Sequence, residues 1–148
     1  MRCFLEVEQQ KMDVFSKNKR SWIMSRIKGR DTKPELEIRS LVHKMGFRFR
    51  LADRTLPGNP DLRLPRLKKV IFVHGCFWHG HKNCSRAKLP LSNVQFWEEK
   101  IEKNKQRDHQ NIIVLKKLGW QSLLIWQCEL KNHLKVKSKI EKFLQGAA

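Results

Sequence analysis

The chain has 148 residues, enough for one domain with a real core. Its 32 lysines and arginines stand against 14 acidic residues, a formal net charge of +18, which calls for a polyanionic partner, nucleic acid or an anionic membrane surface. The start, Met1 to Glu8, has acids inside its only short apolar run, and no stretch approaches the roughly 20 apolar residues of a membrane span, so a signal peptide and a transmembrane anchor are both excluded as expectations.

An intracellular, cytoplasmic protein facing nucleic acid is therefore expected, and in that setting four cysteines point to metal rather than disulfides. Residues 1–15 are of mixed charge without period and are read as a lead-in, with Cys3 an ordinary thiol. From Ser16 to Arg30 come Lys17, Lys19, Arg20, Arg26, Lys28 and Arg30 with no acid among them. Trp22, Ile23 and Ile27 allow a short amphipathic helix there. A run so one-sided is read as a phosphate-contacting arm rather than a merely solvated face.

Asp31-Thr32-Lys33-Pro34-Glu35 predicts a helix start, with Thr32 as N-cap and Glu35 completing a capping box. Ile38, Leu41, Val42 and Met45 then share one face, and Gly46 fits the end of the helix. Phe47 to Arg50 alternates as a half-buried strand does. After the turn cluster Leu56 to Pro60, Asp61 to Leu64 reads as a short strand, and Lys69 to Val73 as a buried one. The tight link between them predicts an antiparallel hairpin, which brings Asp61 near His74.

Ser92 and Gln95 suggest a second capping box, opening a helical stretch to Leu118. Its polar middle, Lys103 to Gln110, suggests two helices. Trp120 to Trp126 is another buried strand, ending at Cys128, and a lysine-rich amphipathic helix built on Leu134, Ile140, Phe143 and Leu144 closes the chain. This order predicts a single α/β domain over residues 16–148, a mixed central sheet flanked by helices.

The chemistry concentrates at the end of the third strand, Lys69 to Val73. Residues 74–84 hold three histidines, two cysteines and two large aromatics: His74, Cys76, Phe77, Trp78, His79, His81 and Cys84. Cys76, His81, Cys84 and the distant Cys128 form a Cys₃His set, a common composition for structural Zn²⁺; the bland alternative treats Cys76 and Cys128 as small buried hydrophobes. With His81 so used, His74 and His79 remain opposite Asp61. Proton-transfer groups beside a carboxylate able to hold Mg²⁺, under positive charge, are the parts phosphodiester hydrolysis needs.

Leu56-Pro57-Gly58-Asn59-Pro60-Asp61, Val70 to His79, Phe96-Trp97-Glu98-Glu99-Lys100-Ile101 with Asn104, Leu118-Gly119-Trp120 and Trp126-Gln127-Cys128 together resemble the very short patch repair endonucleases, over about Asn18 to Cys128. The resemblance implies a restriction-endonuclease-like PD-(D/E)xK fold and nicking 5′ to the thymine of T·G mismatches left by 5-methylcytosine deamination. It implies Mg²⁺ on Asp61 and the Val73 carbonyl, His79 as general base, and His74 and Glu35 as supports or proton carriers. It places structural Zn²⁺ on Cys76, His81, Cys84 and Cys128. Phe77, Trp78 and Trp97 match aromatics that wedge beside the mismatch, Asn104 falls in the same DNA-facing set, and the basic segment 16–30 matches a DNA-contacting arm. Val73 replaces the threonine of the best-known members, and one extra residue separates His81 from Cys84.

The implied partners are duplex DNA with a T·G mismatch, mismatch-repair proteins and a cognate cytosine methyltransferase system, in a bacterial, nucleoid-associated setting; without apolar heptads the chain is expected to be a monomer. A non-catalytic zinc-stabilised nucleic-acid-binding module is the rival reading, and an endonuclease of the same fold with relaxed specificity the third.

Overall fold

The computed structural model describes residues 15–51 and 54–146. In order, the chain forms α1 (Lys17–Ser25), α2 (Lys33–Lys44), β1 (Arg50–Leu51), β2 (Leu62–Leu64), β3 (Lys69–His74), α3 (Val94–Lys117), β4 (Gln121–Trp126) and α4 (His133–Gln145). Short 3₁₀ turns lie at Pro65–Leu67, Ser85–Ala87 and Gln127–Lys131. The sheet runs β1-β2-β3-β4, with the first two pairings antiparallel and β3–β4 parallel. This is the expected mixed α/β architecture. The lead-in and Cys3 fall outside the described residues, except Phe15.

Alternation along β3 serves two cores, because successive side chains point to opposite faces. Ile71 joins Ile38 and Val42 of α2, Leu62 and Leu64 of β2, Ile125 of β4, and Val136, Ile140 and Leu144 of α4. On the other face Val70 and Phe72 pack with Leu115 of α3 and with Trp120. The parallel register pairs Val73 with Ile125 and His74 with Trp126, so β3 and β4 end side by side.

Five local expectations change. Thr32 is the N-cap of α2, but its hydroxyl donates to Glu35 Oε1 (2.9 Å) instead of capping the backbone, and Glu35 Oε2 reaches back to the Asp31 N–H (2.9 Å). The strand foreseen at Phe47–Arg50 pairs only at Arg50 and Leu51, although Phe47 and Phe49 still turn inward against the core. No Ser92–Gln95 capping box forms. Asn93, at φ +53°, is the N-cap, and Gln95 bonds Glu99 instead.

The fourth change is that α3 is one unbroken 24-residue helix. Its polar middle lines a polar site rather than a break: Ile101 is buried, and Asn104, Lys105 and Asp108 follow at helical spacing, each half-buried. In α4, finally, Leu134 is 80% exposed, and Val136 takes the core position instead.

Candidate active site

Asp61 stands just before β2, at the end of a turn that needs glycine. Gly58 has φ +79°, and an added Cβ would meet Phe72 and Asn111 side-chain atoms at 3.1–3.2 Å. The hairpin register, Leu62 opposite Ile71, carries Asp61 to the end of β3, where its Oδ2 accepts the Val73 N–H at 2.6 Å. Burial pushes its carboxyl up to about 6. The Val73 hydrogen bond opposes the rise; Glu35 adds to it, and Arg39 and His79 oppose it.

Beyond His74 the backbone folds into consecutive tight turns, with the amides of His79, Gly80 and His81 bonded back to the carbonyls of Gly75, Phe77 and Cys76. Gly80, at φ +60°, lies so close to α3 that a Cβ would stand 2.5 Å from Lys105 Cε and 2.6 Å from Ile101 Cγ2. That approach brings His79 Nδ1 to within 2.5 Å of Asp108 Oδ2. His74 stacks on His79, with ring centroids 3.7 Å apart and planes 13° from parallel.

Burial, and then the charge of His79, hold His74 down at about 4. Burial pushes the Asp108 carboxyl up, but the hydrogen bond and charge of His79, then His74, bring it below the usual carboxylate range. Although His74, His79 and Asp108 lie close enough to enclose an ion, stacked parallel rings do not aim their in-plane nitrogens at one point. In the trio, Asp108 fixes the His79 ring through Nδ1, and the buried His74 ring lies flat against its face. Asp108 is the site residue that sequence reasoning missed. Its signal was helical spacing: Ile101, Asn104 and Asp108 share a face of α3.

Glu35 is buried and held by the Asp31 N–H, the Thr32 hydroxyl and Arg39 Nη2 (3.3 Å). It is within electrostatic reach of Asp61.

The side-by-side ends of β3 and β4 bring Cys76 and Cys128 together, and the loop adds His81 and Cys84. All four donor atoms lie within 4.8 Å of one another. Cys128 Sγ is 3.3 Å from His81 Nδ1, and the His81 ring stacks on Trp126 at 4.1 Å. Burial raises the Cys76 thiol to about 11, whereas a backbone hydrogen bond at Arg86 lowers that of Cys84. Three sulfurs and an imidazole converging at this spacing fit a tetrahedral ion with bonds of about 2.0–2.3 Å.

Phe77, Trp78 and Trp97 belong to neither core. They pack edge to face at 5.2–5.9 Å, with Phe96, 55% exposed, on Trp97, and Lys100 Nζ 5.7–5.8 Å from the Trp78, Phe96 and Trp97 rings. Asn104 Nδ2 donates to the Trp78 carbonyl (2.8 Å), so its amide braces the loop from within the protein. On α1 and its extension, Lys17, Lys19, Arg26, Lys28 and Arg30 are exposed and Arg20 half-exposed; no residue of α1 is buried. A cavity of about 760 Å³ between the Cys/His loop and α3, lined by His81, Ala87, Leu89, Glu98, Ile101 and Glu102 among others, excludes Asp61, His74 and His79. Among the described residues, no helix is long and apolar enough to cross a membrane.

Comparison with known proteins places the chain among DNA endonucleases. The family model for the DNA mismatch endonuclease Vsr matches residues 12–86. The type II nicking enzyme V.NmeAIP of Neisseria meningitidis is 41% identical over 133 residues, 90% of this chain and 94% of that protein. The DNA mismatch endonuclease Vsr of Escherichia coli is 44% identical over 124 residues, 84% of this chain and 79% of that protein. Among solved structures, the catalytic domain of the homing endonuclease I-Bth0305I superposes with a TM-score of 0.53 at 25% identity, covering 76% of this chain and 94% of that one.

Proposed function

Because the chain belongs to the Vsr family of DNA mismatch endonucleases, and so is a hydrolase of DNA phosphodiester bonds, we propose that it nicks one strand 5′ to the thymine of a T·G mismatch. Such a cut begins very short patch repair of deaminated 5-methylcytosine. On this reading residues 16–148 are one mismatch endonuclease domain of restriction-endonuclease-like fold, with 16–30 as its DNA-contacting arm. It acts as a monomer at the bacterial nucleoid, beside mismatch-repair proteins and a cognate cytosine methyltransferase.

The observation that carries the reading is the placement, at the end of β3, of a half-buried carboxylate within electrostatic reach of an oriented histidine. Asp61 holds a negative charge that burial disfavours and that neighbouring cations only partly offset, which fits a hard divalent cation. Asp61 and the Val73 carbonyl would hold Mg²⁺, which when bound stabilises charge developing on the scissile phosphate. Asp108 grips His79 through Nδ1 and leaves Nε2 to take a proton from the attacking water. Neutral His74 backs the ring and fixes its plane. Glu35, held by Thr32 and Arg39, supports Asp61.

Cys76, His81, Cys84 and Cys128 would hold Zn²⁺, with no open position, as a clamp joining the loop to β4. Phe77, Trp78 and Trp97 form the wedge, and Asn104, expected in the DNA-facing set, braces it from behind, its amide held by the Trp78 carbonyl and Arg107. Lys17, Lys19, Arg20, Arg26, Lys28 and Arg30 meet phosphates. A non-catalytic binding module gives no reason for Asp61, His79 and Asp108 to converge.

The test is cleavage of labelled duplexes that differ only at one base pair. Single-strand cutting of T·G DNA with Mg²⁺, abolished when Mg²⁺ is withheld and much weaker on matched DNA, is the expected result. Equal cutting of matched and mismatched duplexes would leave an endonuclease of relaxed specificity.

A further inference from the structure

The arm and the cleavage centre are joined by one side chain. Arg39, on α2, is 11% exposed and forks: Nη1 donates to Asp31 Oδ1 at 2.6 Å and Nη2 to Glu35 Oε2 at 3.3 Å. Asp31 is where the basic segment enters the domain, and it sits in the left-handed region at φ +55°, a conformation Asp tolerates only with local support. Its own N–H closes the ring onto the same Glu35 oxygen. Arg39 Nε is buried without a partner among the described residues. Leaving a guanidinium donor so is costly, and two charged partners at fixed positions are what the fork secures in return.

We propose that Arg39 is a positioning residue shared by two parts of the enzyme: through Asp31 it sets the direction in which the arm leaves the domain, and through Glu35 it sets the carboxylate beside Asp61. The inference rests on the reading of Asp61 as the cleavage centre and of residues 16–30 as the arm. Lys28 and Arg30, next to Asp31, carry the charges the arm would offer to phosphates. A loosened Asp31 would swing an uncompensated carboxylate among them. Without Arg39, Glu35 would be a buried negative charge with less to offset it, beside Asp61.

Two readouts separate the legs: anisotropy of a labelled T·G duplex without Mg²⁺ for binding, and single-turnover nicking at saturating enzyme for the centre. Asp31→Asn keeps shape and left-handed tolerance but cuts one leg. Binding should weaken about 3- to 10-fold while the saturating rate stays within about 2-fold. Arg39→Met should weaken binding equally and slow the saturating rate about 10- to 100-fold. Adding Asp31→Asn to Arg39→Met should cost little further binding.

Arg39→Lys has one donor head and no fork, so it should recover the rate to within about 3-fold but not the binding. If circular dichroism shows Arg39→Met unfolded, Arg39→Lys and Asp31→Asn carry the test. Binding losses that multiply in the double variant, or full recovery of both readouts by lysine, overturn the proposal. A wild-type chain that binds T·G DNA without nicking it would instead overturn the assigned activity, leaving the binding cycle to decide the arm.

Discussion

The two ends of β3 treat buried charge in opposite ways. At its start Lys69, 2% exposed, donates to the carbonyls of Phe143 (2.5 Å), Leu144 (3.4 Å) and Gly146 (2.7 Å), the C-terminal end of α4. The ammonium meets acceptors and the negative pole of a helix, so its burial is compensated. At the other end, the environment of Asp61 pushes its carboxyl up to about 6 and that of His74 pushes its imidazole down to about 4, each disfavouring the charged form. One end of the strand is arranged for stability; the other keeps ionisable groups where the fold alone does not favour their charge. The Cys₃His cluster lies at that second end, where a clamp has most to offset.

Removing the clamp should have the largest effect. Cys128→Ser or Cys84→Ser is expected to lose a zinc ion present at one per chain and to unfold or strongly destabilise the protein. Structural zinc in small domains contributes about 10–16 kcal/mol of apparent binding energy coupled to folding. Elemental analysis finding metal-free wild-type protein that is fully folded would end this claim.

Next comes Asp61→Asn. Nicking should fall below detection while T·G binding persists, since an amide keeps the shape and removes the charge that would hold the cation. The comparison adds a sharper expectation. A group whose folded pKa is raised stabilises the fold below its unfolded pKa and loses that contribution as pH rises through the folded value. For Asp61 the loss runs from about pH 4 to pH 6. Above that the carboxylate costs roughly 1–3 kcal/mol. In Mg²⁺-free buffer at pH 7.5 the Asn variant should therefore melt higher than wild type, the gap should shrink toward pH 5, and Mg²⁺ should narrow it by raising wild type alone. A variant that melts lower at pH 7.5 would show that the carboxylate is compensated after all.

Lys69→Met tests the other end. Losing the hydrogen bonds to three carbonyls should cost about 2–3 kcal/mol of stability, measured by urea unfolding. The nicking rate of the folded fraction should be unchanged. A change in rate at constant stability would mean the two ends are not separable.

How far all this was legible in the chain follows the same division. The hairpin that delivers Asp61, the convergence of Cys76, His81, Cys84 and Cys128, and the order of elements were readable because period, turn residues and ligand spacing are local signals. What escaped was set by approach in space. The polar stretch Lys103–Gln110 reads as a break only when the partner of its inner face is unknown; Gly80 pressing on Ile101 and Lys105 makes it the wall of the site. Asp108 was hidden for the same reason. Likewise Thr32 and Glu35 gave the helix start correctly, but not that Arg39 and Asp31 would draw the glutamate into a network instead of a capping box.

The smallest expected effect concerns recognition, at Trp78. Its ring packs edge to face on Phe77 and Trp97 under Lys100, outside both cores. Its backbone is held separately, by Asn104 on its carbonyl, so truncating the ring should leave the loop in place. The cluster thus resembles neither end of β3: it is apolar surface held half out of the core beside a basic arm. Insertion of an apolar wedge costs a few kcal/mol of unstacking, and a T·G wobble should yield more readily than a Watson–Crick step. A stacked base is worth about 1–3 kcal/mol, or roughly 5- to 150-fold in affinity. Trp78→Ala should weaken T·G binding by about that factor, matched duplex by less, and melting temperature by little. Should the melting temperature instead fall steeply while mismatch preference survives, the ring is a core residue and the aromatic cluster belongs with the stable end of the molecule.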